Sequence, residues 1–171
     1  MPRATPRRDN ASGQSGQAML EYAVSAIVMA TLVFGVVDFS RAIYQQQVIT
    51  NLAAEGANLA SRGTATGDSA AAVIADSDLN LSSHGKVIVS AAQNTGPNAV
   101  TVKAQSSQGS LSASSRVGTL NGTATLPAGA IPTNSQTVYV AEVFYSFQPI
   151  TPIGKLIQTV LPVQLYDAAY Y

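Results

Sequence analysis

A run of apolar residues near the N-terminus constrains this chain more than any other feature. From Ala18 to Val37 the only charged residue is Glu21. About 20 helical residues span roughly 30 Å, which is the thickness of the hydrocarbon core of a bilayer. A carboxylate costs about 2.5–3.5 kcal/mol at the centre of such a helix and less near an end, so its presence points to a function. The sequence therefore predicts one membrane-spanning helix with a functional Glu21.

Charges that precede the apolar run predict its orientation. Arg3, Arg7 and Arg8 lie before it, and only Asp9 offsets them. Because Lys and Arg are enriched on the cytoplasmic side, we expect a cytoplasmic N-terminus and an extracytoplasmic C-terminal body. The run is longer than the apolar core of about 7–15 residues in a cleaved secretory signal. An uncleaved signal anchor is the alternative to a helix with a processed leader.

Helical periodicity continues beyond the membrane-length run. Apolar residues recur at three- and four-residue spacing as far as Arg62, and Gly63 is suited to cap the helix end. We expect one helix from about Ala18 to Arg62, transmembrane in its first half and amphipathic in its second. Gly35 is its predicted weak point, since glycine costs about 1 kcal/mol relative to alanine in a helix interior.

The sequence after residue 63 predicts an α+β body. A short helix is expected at Ala70–Ala75, with Asp68 or Ser69 as its N-terminal cap. Runs rich in β-branched and aromatic residues predict strands at Lys86–Ala91, Val100–Ala104, Thr137–Phe147 and Leu161–Tyr171. The predicted fold is thus a long N-terminal helix whose outer half packs on a small antiparallel β-sheet.

Two features of the body concern its packing. Small residues at Ala53, Ala57 and Ser61 are expected to let the sheet approach the helix closely. In the Thr137–Phe147 strand, the alternating set that includes Tyr139 is predicted to face the core, which places Glu142 on the other side. Residues 105–136 are rich in Ser, Gly and Thr and predict a long surface loop, with a short strand near Arg116–Leu120.

Residues that carry catalytic chemistry are scarce. The chain has no cysteine and a single histidine, His84, which lies in a polar turn. Asp76 and Asp78 are better explained as solvated acids at a helix end than as calcium ligands. Asp38 and Arg41 are spaced to pair along the helix near the bilayer surface. We therefore predict no enzyme activity, no catalytic or metal-binding residues and no cofactor, and the scattered Lys and Arg predict no nucleic-acid binding.

One junction resembles a known processing site. A basic leader ends at Gly16, four uncharged residues begin at Gln17, and Glu21-Tyr22 opens the hydrophobic helix. This pattern resembles the prepilins of the tight-adherence, or Flp, branch of type IV pili. The continuation over residues 34–57 looks like the TadE family of pseudopilins, and the strand and proline turn at residues 140–153 are also similar to it.

The resemblance implies a structural subunit. A prepilin peptidase would cut between Gly16 and Gln17 on the cytoplasmic side, and an inner-membrane platform with an assembly ATPase would then extract the subunit into or beneath a pilus. The new amine of Gln17 would pair with Glu21 of a neighbouring pilin-like subunit, either a copy of itself or an Flp- or TadF-like protein, with Tyr22 beside it. Gly35 is predicted to let the helix unwind locally on leaving the bilayer.

The predicted organisation follows from the residues and the resemblance together. It comprises a leader at residues 1–16, a transmembrane helix at 17–37, its amphipathic continuation at 38–63, and an extracytoplasmic body at 64–171. Major Flp pilins are typically little more than the helix, so the large body favours a minor, TadE-like subunit at the base or tip of the pilus. The alternatives are the major subunit of a homopolymeric pilus and a membrane-anchored binding or adhesin domain.

Overall fold

The computed structural model of the chain describes residues 11–96, 99–133, 135–152, 154 and 164–171. Its helices are α1 (Ala11–Ser61), α2 (Thr66–Asp76) and α3 (Leu81–His84), and residues Ala128–Ala130 form a 3-10 turn. Its strands are β1 (Gly85–Gly96), β2 (Ala99–Gln108), β3 (Thr137–Ser146) and β4 (Gln164–Tyr170). Residues 1–10 of the predicted leader and 161–163 of the predicted last strand lie outside the described residues. The α+β fold class is confirmed.

The four strands form one antiparallel sheet in the order β2-β1-β3-β4. The register places Val87 of β1 opposite Val143 of β3, and Val143 opposite Asp167 of β4. β3 is therefore a central strand with a partner on each side. The predicted strand at Thr137–Phe147 is confirmed. β1 and β2 are longer than the sequence predicted, since β1 continues to Gly96 and β2 to Gln108.

The outer half of α1 packs on one face of this sheet. Its contact face is a stripe of small residues with Ile49 and Leu52, and the sheet contributes Val87, Val89 and the β3 set that includes Ala141. A Cβ atom added at Gly56 would lie 3.1 Å from the Ala141 Cβ and 2.9 Å from Val73 Cγ2 of α2. The predicted close approach is confirmed for Ala53 and Ala57, which are buried, but not for the exposed Ser61.

The end of α1 has the predicted glycine cap. Gly63 has a φ of 96°, which an L side chain rarely adopts. Its N–H donates to the Ala60 carbonyl at 3.1 Å, and the Thr64 N–H donates to the Leu59 carbonyl at 3.3 Å. These two bonds define a Schellman motif, which satisfies carbonyls that the helix leaves free.

Two local predictions for helix beginnings were wrong. α1 is already helical at Ala11, the first described residue, rather than from near Ala18, and extending an existing helix adds a backbone hydrogen bond for each residue fixed. α2 begins at Thr66 and has no side-chain N-cap bond. Ser69 instead donates its hydroxyl to the Ala65 carbonyl at 3.1 Å. It therefore bonds backward along its own helix and does not cap the first turn.

The segment from 109 to 136 is irregular and lies on the surface, as its composition predicted. The sequence did not predict that it covers the second face of the sheet, where Val117 is only 1% exposed and packs with Val102 and Val140. The strand expected near Arg116–Leu120 is absent from this described stretch, and the segment instead bonds to the edge strand through Thr123 and Ala124. Both faces of the sheet are thus covered.

Candidate functional site

The inner half of α1 is exposed to solvent along its length. Its large apolar side chains are all exposed, from 78% at Tyr22 to 38% at Phe34 near the body. The segment is long and apolar enough to cross a membrane, and none of its most apolar 18-residue window is buried. Since a core helix of a soluble protein would be covered, this exposure fits a helix whose neighbours are lipids or other subunits.

The predicted cleavage and assembly residues lie in the first turns of this exposed helix. Gly16 and Gln17 are exposed within α1, and nothing lies within 4 Å of a Cβ atom added at Gly16. The Gln17 side-chain amide donates to Glu21 Oε1 at 3.2 Å, so these two side chains meet within one helix. Tyr22 is 78% exposed and leaves its ring available to a neighbour.

Gly35 lies in the middle of the same helix. No atom lies within 4 Å of a Cβ atom added there, so steric contact does not require a glycine. The helix is continuous through this position. The roles assigned to Gly16, Gln17, Glu21, Tyr22 and Gly35 remain predictions.

The body is joined to α1 where the apolar run ends, through Asp38. This side chain is fully buried and accepts hydrogen bonds from the Ile150 N–H at 3.0 Å and the Thr151 N–H at 3.4 Å. The Thr151 hydroxyl donates a third bond to the same carboxylate. A Cβ atom added at Gly154 would lie 3.3 Å from Asp38 Oδ2 and 2.5 Å from Pro149 Cβ. Asp38 therefore holds the turn that follows β3 against the helix.

The electrostatics of this junction favour the charged carboxylate. Burial by itself favours the neutral acid, but the hydrogen bonds from Thr151 and Ile150, with a smaller contribution from Arg41, lower the pKa of Asp38 below its ordinary value. The predicted pairing of Asp38 with Arg41 along the helix was wrong in its geometry. Arg41 donates to the Gln148 carbonyl at 3.3 Å, so both side chains bind the turn.

A second buried carboxylate fixes the loop on the other face of the sheet. Glu142 of β3 accepts hydrogen bonds from the Ser115 hydroxyl, from the Arg116 N–H at 2.8 Å and from the Tyr166 hydroxyl at 3.1 Å. The Arg116 guanidinium lies 3.7 Å from the centroid of the Tyr166 ring. Burial, and then the adjacent Glu142 carboxylate, raise the pKa of Tyr166. Glu142 is therefore the polar anchor of the covering segment.

These two anchors differ from what the sequence suggested. The alternation of β3 correctly placed Glu142 on the face away from α1, but it gave no partner for the carboxylate there. A single acid within an otherwise apolar strand was the available signal for a buried carboxylate. For Asp38, the signal was an acid directly after the apolar run together with a distant proline turn, and no local pattern connects the two.

The described residues contain no cluster of side chains that could hold a metal ion. No group of three or more His, Asp or Glu side chains lies close enough to hold a metal ion within this part of the chain. His84 is exposed at the end of α3. The cavities between the described residues are open, and a representative one of about 250 Å³ is lined by serines, Gln105 and Lys86.

Comparison with known proteins finds a match, which covers the exposed inner half of α1 and part of its continuation. Residues 16–58 match the TadE family model, described as TadE-like protein. No curated protein matches the chain, and no solved structure does. The family match confirms the resemblance noted from Gly16 onward and extends over the exposed inner half of α1 and most of its continuation. The similarity noted at residues 140–153 lies outside the matched range and stays a prediction.

Proposed function

We propose that this chain is a pilin-like structural subunit, held in the bacterial inner membrane and processed for assembly into or at the base or tip of a Tad-type pilus. The observation that supports it best is the bare, apolar inner half of α1, which lies largely within the TadE-like residues 16–58. The body packs only on the outer half. Such a division suits a helix that is first a membrane anchor and later part of a filament core.

A cut between Gly16 and Gln17 is the first step of this proposal. Glycine weakens a helix by about 1 kcal/mol relative to alanine, so the turn around Gly16 opens more readily than its neighbours. Removal of the leader takes away Arg3, Arg7 and Arg8, which favour retention at the cytoplasmic surface. It also creates a cation at the start of the helix.

Pairing between subunits is the second step. The Gln17 amine of one subunit meets Glu21 of its neighbour once both helices lie side by side. In a low-dielectric environment one partner without the other is strongly penalised, so this pair fixes the register of adjacent subunits. The 3.2 Å bond between Gln17 and Glu21 within one helix would then be exchanged for contacts between helices.

N-terminal processing tests the first step. Gly16→Ala and Gly16→Glu are expected to leave an uncleaved precursor in the membrane, as judged by mass spectrometry of the intact chain. Gly35→Ala is the matched control, because a Cβ atom meets nothing within 4 Å at either glycine. A mature chain that begins at Gln17 in both Gly16 variants would refute the cleavage site.

Filament recovery tests the second step. Glu21→Ala is expected to be cleaved and inserted normally but to be lost from sheared surface filaments. Glu55→Ala, on the outer half of the same helix, serves as the control for loss of a carboxylate. Recovery of Glu21→Ala at the wild-type level would refute the pairing role.

The same filament assay tests local unwinding at Gly35. If Gly35→Ala is cleaved normally but lost from filaments, the result would support unwinding. Normal assembly of Gly35→Ala would refute it.

The size of the body favours a minor subunit over a major one. Immunogold labelling is expected to mark the ends of the filament rather than its length. Uniform labelling along the filament would instead assign the major, homopolymeric role.

A further inference from the structure

The turn after β3 carries an apolar side chain that nothing in the described body covers. Ile150 is 66% exposed, whereas Phe147, three residues earlier, is 1% exposed. The Ile150 N–H lies 3.0 Å from Asp38 Oδ1. Since Asp38 directly follows Val37, the last residue of the apolar run, Ile150 lies at the level where the membrane-length segment ends.

The central N–H groups of this turn are hydrogen-bonded or absent. Pro149 and Pro152 have no N–H, and the N–H groups of Ile150 and Thr151 both donate to Asp38. The Gly154 N–H donates to the Thr151 carbonyl at 2.9 Å. An unbonded N–H is costly where water is scarce, so this turn is suited to a partly dehydrated environment.

The helix beside the turn is also apolar on its exposed surface. Phe34 is 38% exposed, Val37 is 40% exposed and Phe39 is 51% exposed. Single exposed apolar residues are ordinary on soluble proteins, but here they continue a segment long enough to span a bilayer. The turn and the helix therefore each carry exposed apolar side chains near the boundary of that segment.

We infer that, in the membrane-held subunit, the turn at residues 148–152 rests on the bilayer surface and inserts the Ile150 side chain among the phospholipids of the extracytoplasmic leaflet. This inference rests on the proposed function, because it requires α1 to span the membrane. Asp38 then has two effects: it satisfies the amides of the turn and sets the depth of Ile150. The body is thereby held at a fixed height on the membrane before extraction.

Tryptophan fluorescence tests this inference cleanly, because the native chain has no tryptophan. Three single variants of the full chain would be reconstituted into phosphatidylcholine vesicles: Ile150→Trp, Phe34→Trp and Ile131→Trp. Phe34 reports on the spanning segment. Ile131 is a matched control, since it is also a loop isoleucine and is 53% exposed, but it lies beside Pro132 near the opposite end of β3.

The vesicles would contain lipids brominated near the top of the acyl chains, which quench only tryptophans in contact with lipid. Because interfacial side chains reach about 5–10 Å into the headgroup and acyl boundary, quenching of Ile150→Trp is expected to exceed that of Ile131→Trp by at least about twofold. Phe34→Trp is expected to be quenched as well.

Each other outcome overturns the inference in a recognisable way. Quenching of Phe34→Trp without quenching of Ile150→Trp would refute the inference and leave the proposed membrane anchor intact. A blue-shifted but unquenched Ile150→Trp would assign the surface to a second copy of the chain and refute lipid contact. Absence of quenching in Phe34→Trp would refute the anchor, and with it the inference.

Discussion

Removal of the Asp38 carboxylate is expected to loosen the body from the helix. Asp38→Ala leaves the N–H groups of Ile150 and Thr151 without their acceptor, while the Thr151 hydroxyl is free to rotate toward water. An unsatisfied buried donor costs about 1–3 kcal/mol, so two of them near the surface of the body predict a loss of about 2–4 kcal/mol. For a folded region of this size the corresponding fall in melting temperature is about 10 °C.

Asp38→Asn separates the effect of charge from that of shape. The amide keeps one oxygen acceptor but places an NH2 group against donors, so about half of the loss is expected. Asp78→Ala is the control for removing an exposed aspartate from the body and is expected to melt within about 2 °C of the wild type.

The pH dependence of the melting temperature gives a second, independent readout. Because the pKa of Asp38 is lower in the folded state than in the unfolded state, its stabilisation is complete above the unfolded pKa of about 3.9 and is lost as the pH falls through the folded pKa. The gap between the wild type and Asp38→Asn is therefore expected to narrow under strongly acidic conditions.

Calorimetry of the full chain in detergent micelles measures the melting temperatures, and hydrogen exchange follows the two amides directly. Faster exchange at Ile150 and Thr151 in Asp38→Ala is expected even where the melting temperature is only modestly reduced. Wild-type melting of Asp38→Ala, with unchanged protection of both amides, would refute the assignment of Asp38 as the joint between helix and body.

Two further predictions concern the packing of the body. Glu142→Ala leaves the Arg116 N–H and the Tyr166 hydroxyl without an acceptor, so the free energy of unfolding is expected to fall by about 2–3 kcal/mol. Proteolysis within residues 109–136 is expected to be faster, and an unchanged digestion pattern would contradict this role of Glu142. Gly56→Ala forces a methyl group to within 2.9 Å of Val73 Cγ2, so a loss of about 1–3 kcal/mol is expected by calorimetry, whereas Gly35→Ala, which meets no atom, is expected to be neutral or stabilising.

The sequence predicted the parts of the fold that depend on local periodicity. The length of the apolar run, the spacing of small residues such as Ala53 and Ala57, the glycine cap at Gly63 and the alternation in β3 each reflect one element or its immediate neighbour. The resemblance to TadE-like proteins from Gly16 onward could also be predicted, because a few consecutive residues carry it.

Features that depend on distant residues were not predictable in this way. Asp38 meets Thr151 across 113 positions of sequence, and its neighbour Arg41 offered a simpler local partner. The polar composition of the segment at 109–136 gave no sign that it would pack on the sheet, yet its Val117 is buried there and its Arg116 N–H donates to Glu142. Long-range pairing of this kind has no signature in a single sequence.

The direction in which β3 runs has a mechanical consequence. β3 and the turn that follows it lie alongside α1. Asp38 binds the turn at one end, and Gly56 contacts Ala141 of β3 further along the helix, so the contacts between helix and strand are distributed along the helix. A pulling force applied to the inner end of the helix would strain these contacts together, in shear, instead of opening them one after another from an end. A body attached in this manner is expected to stay bound to the outer half of α1 when the inner half is pulled.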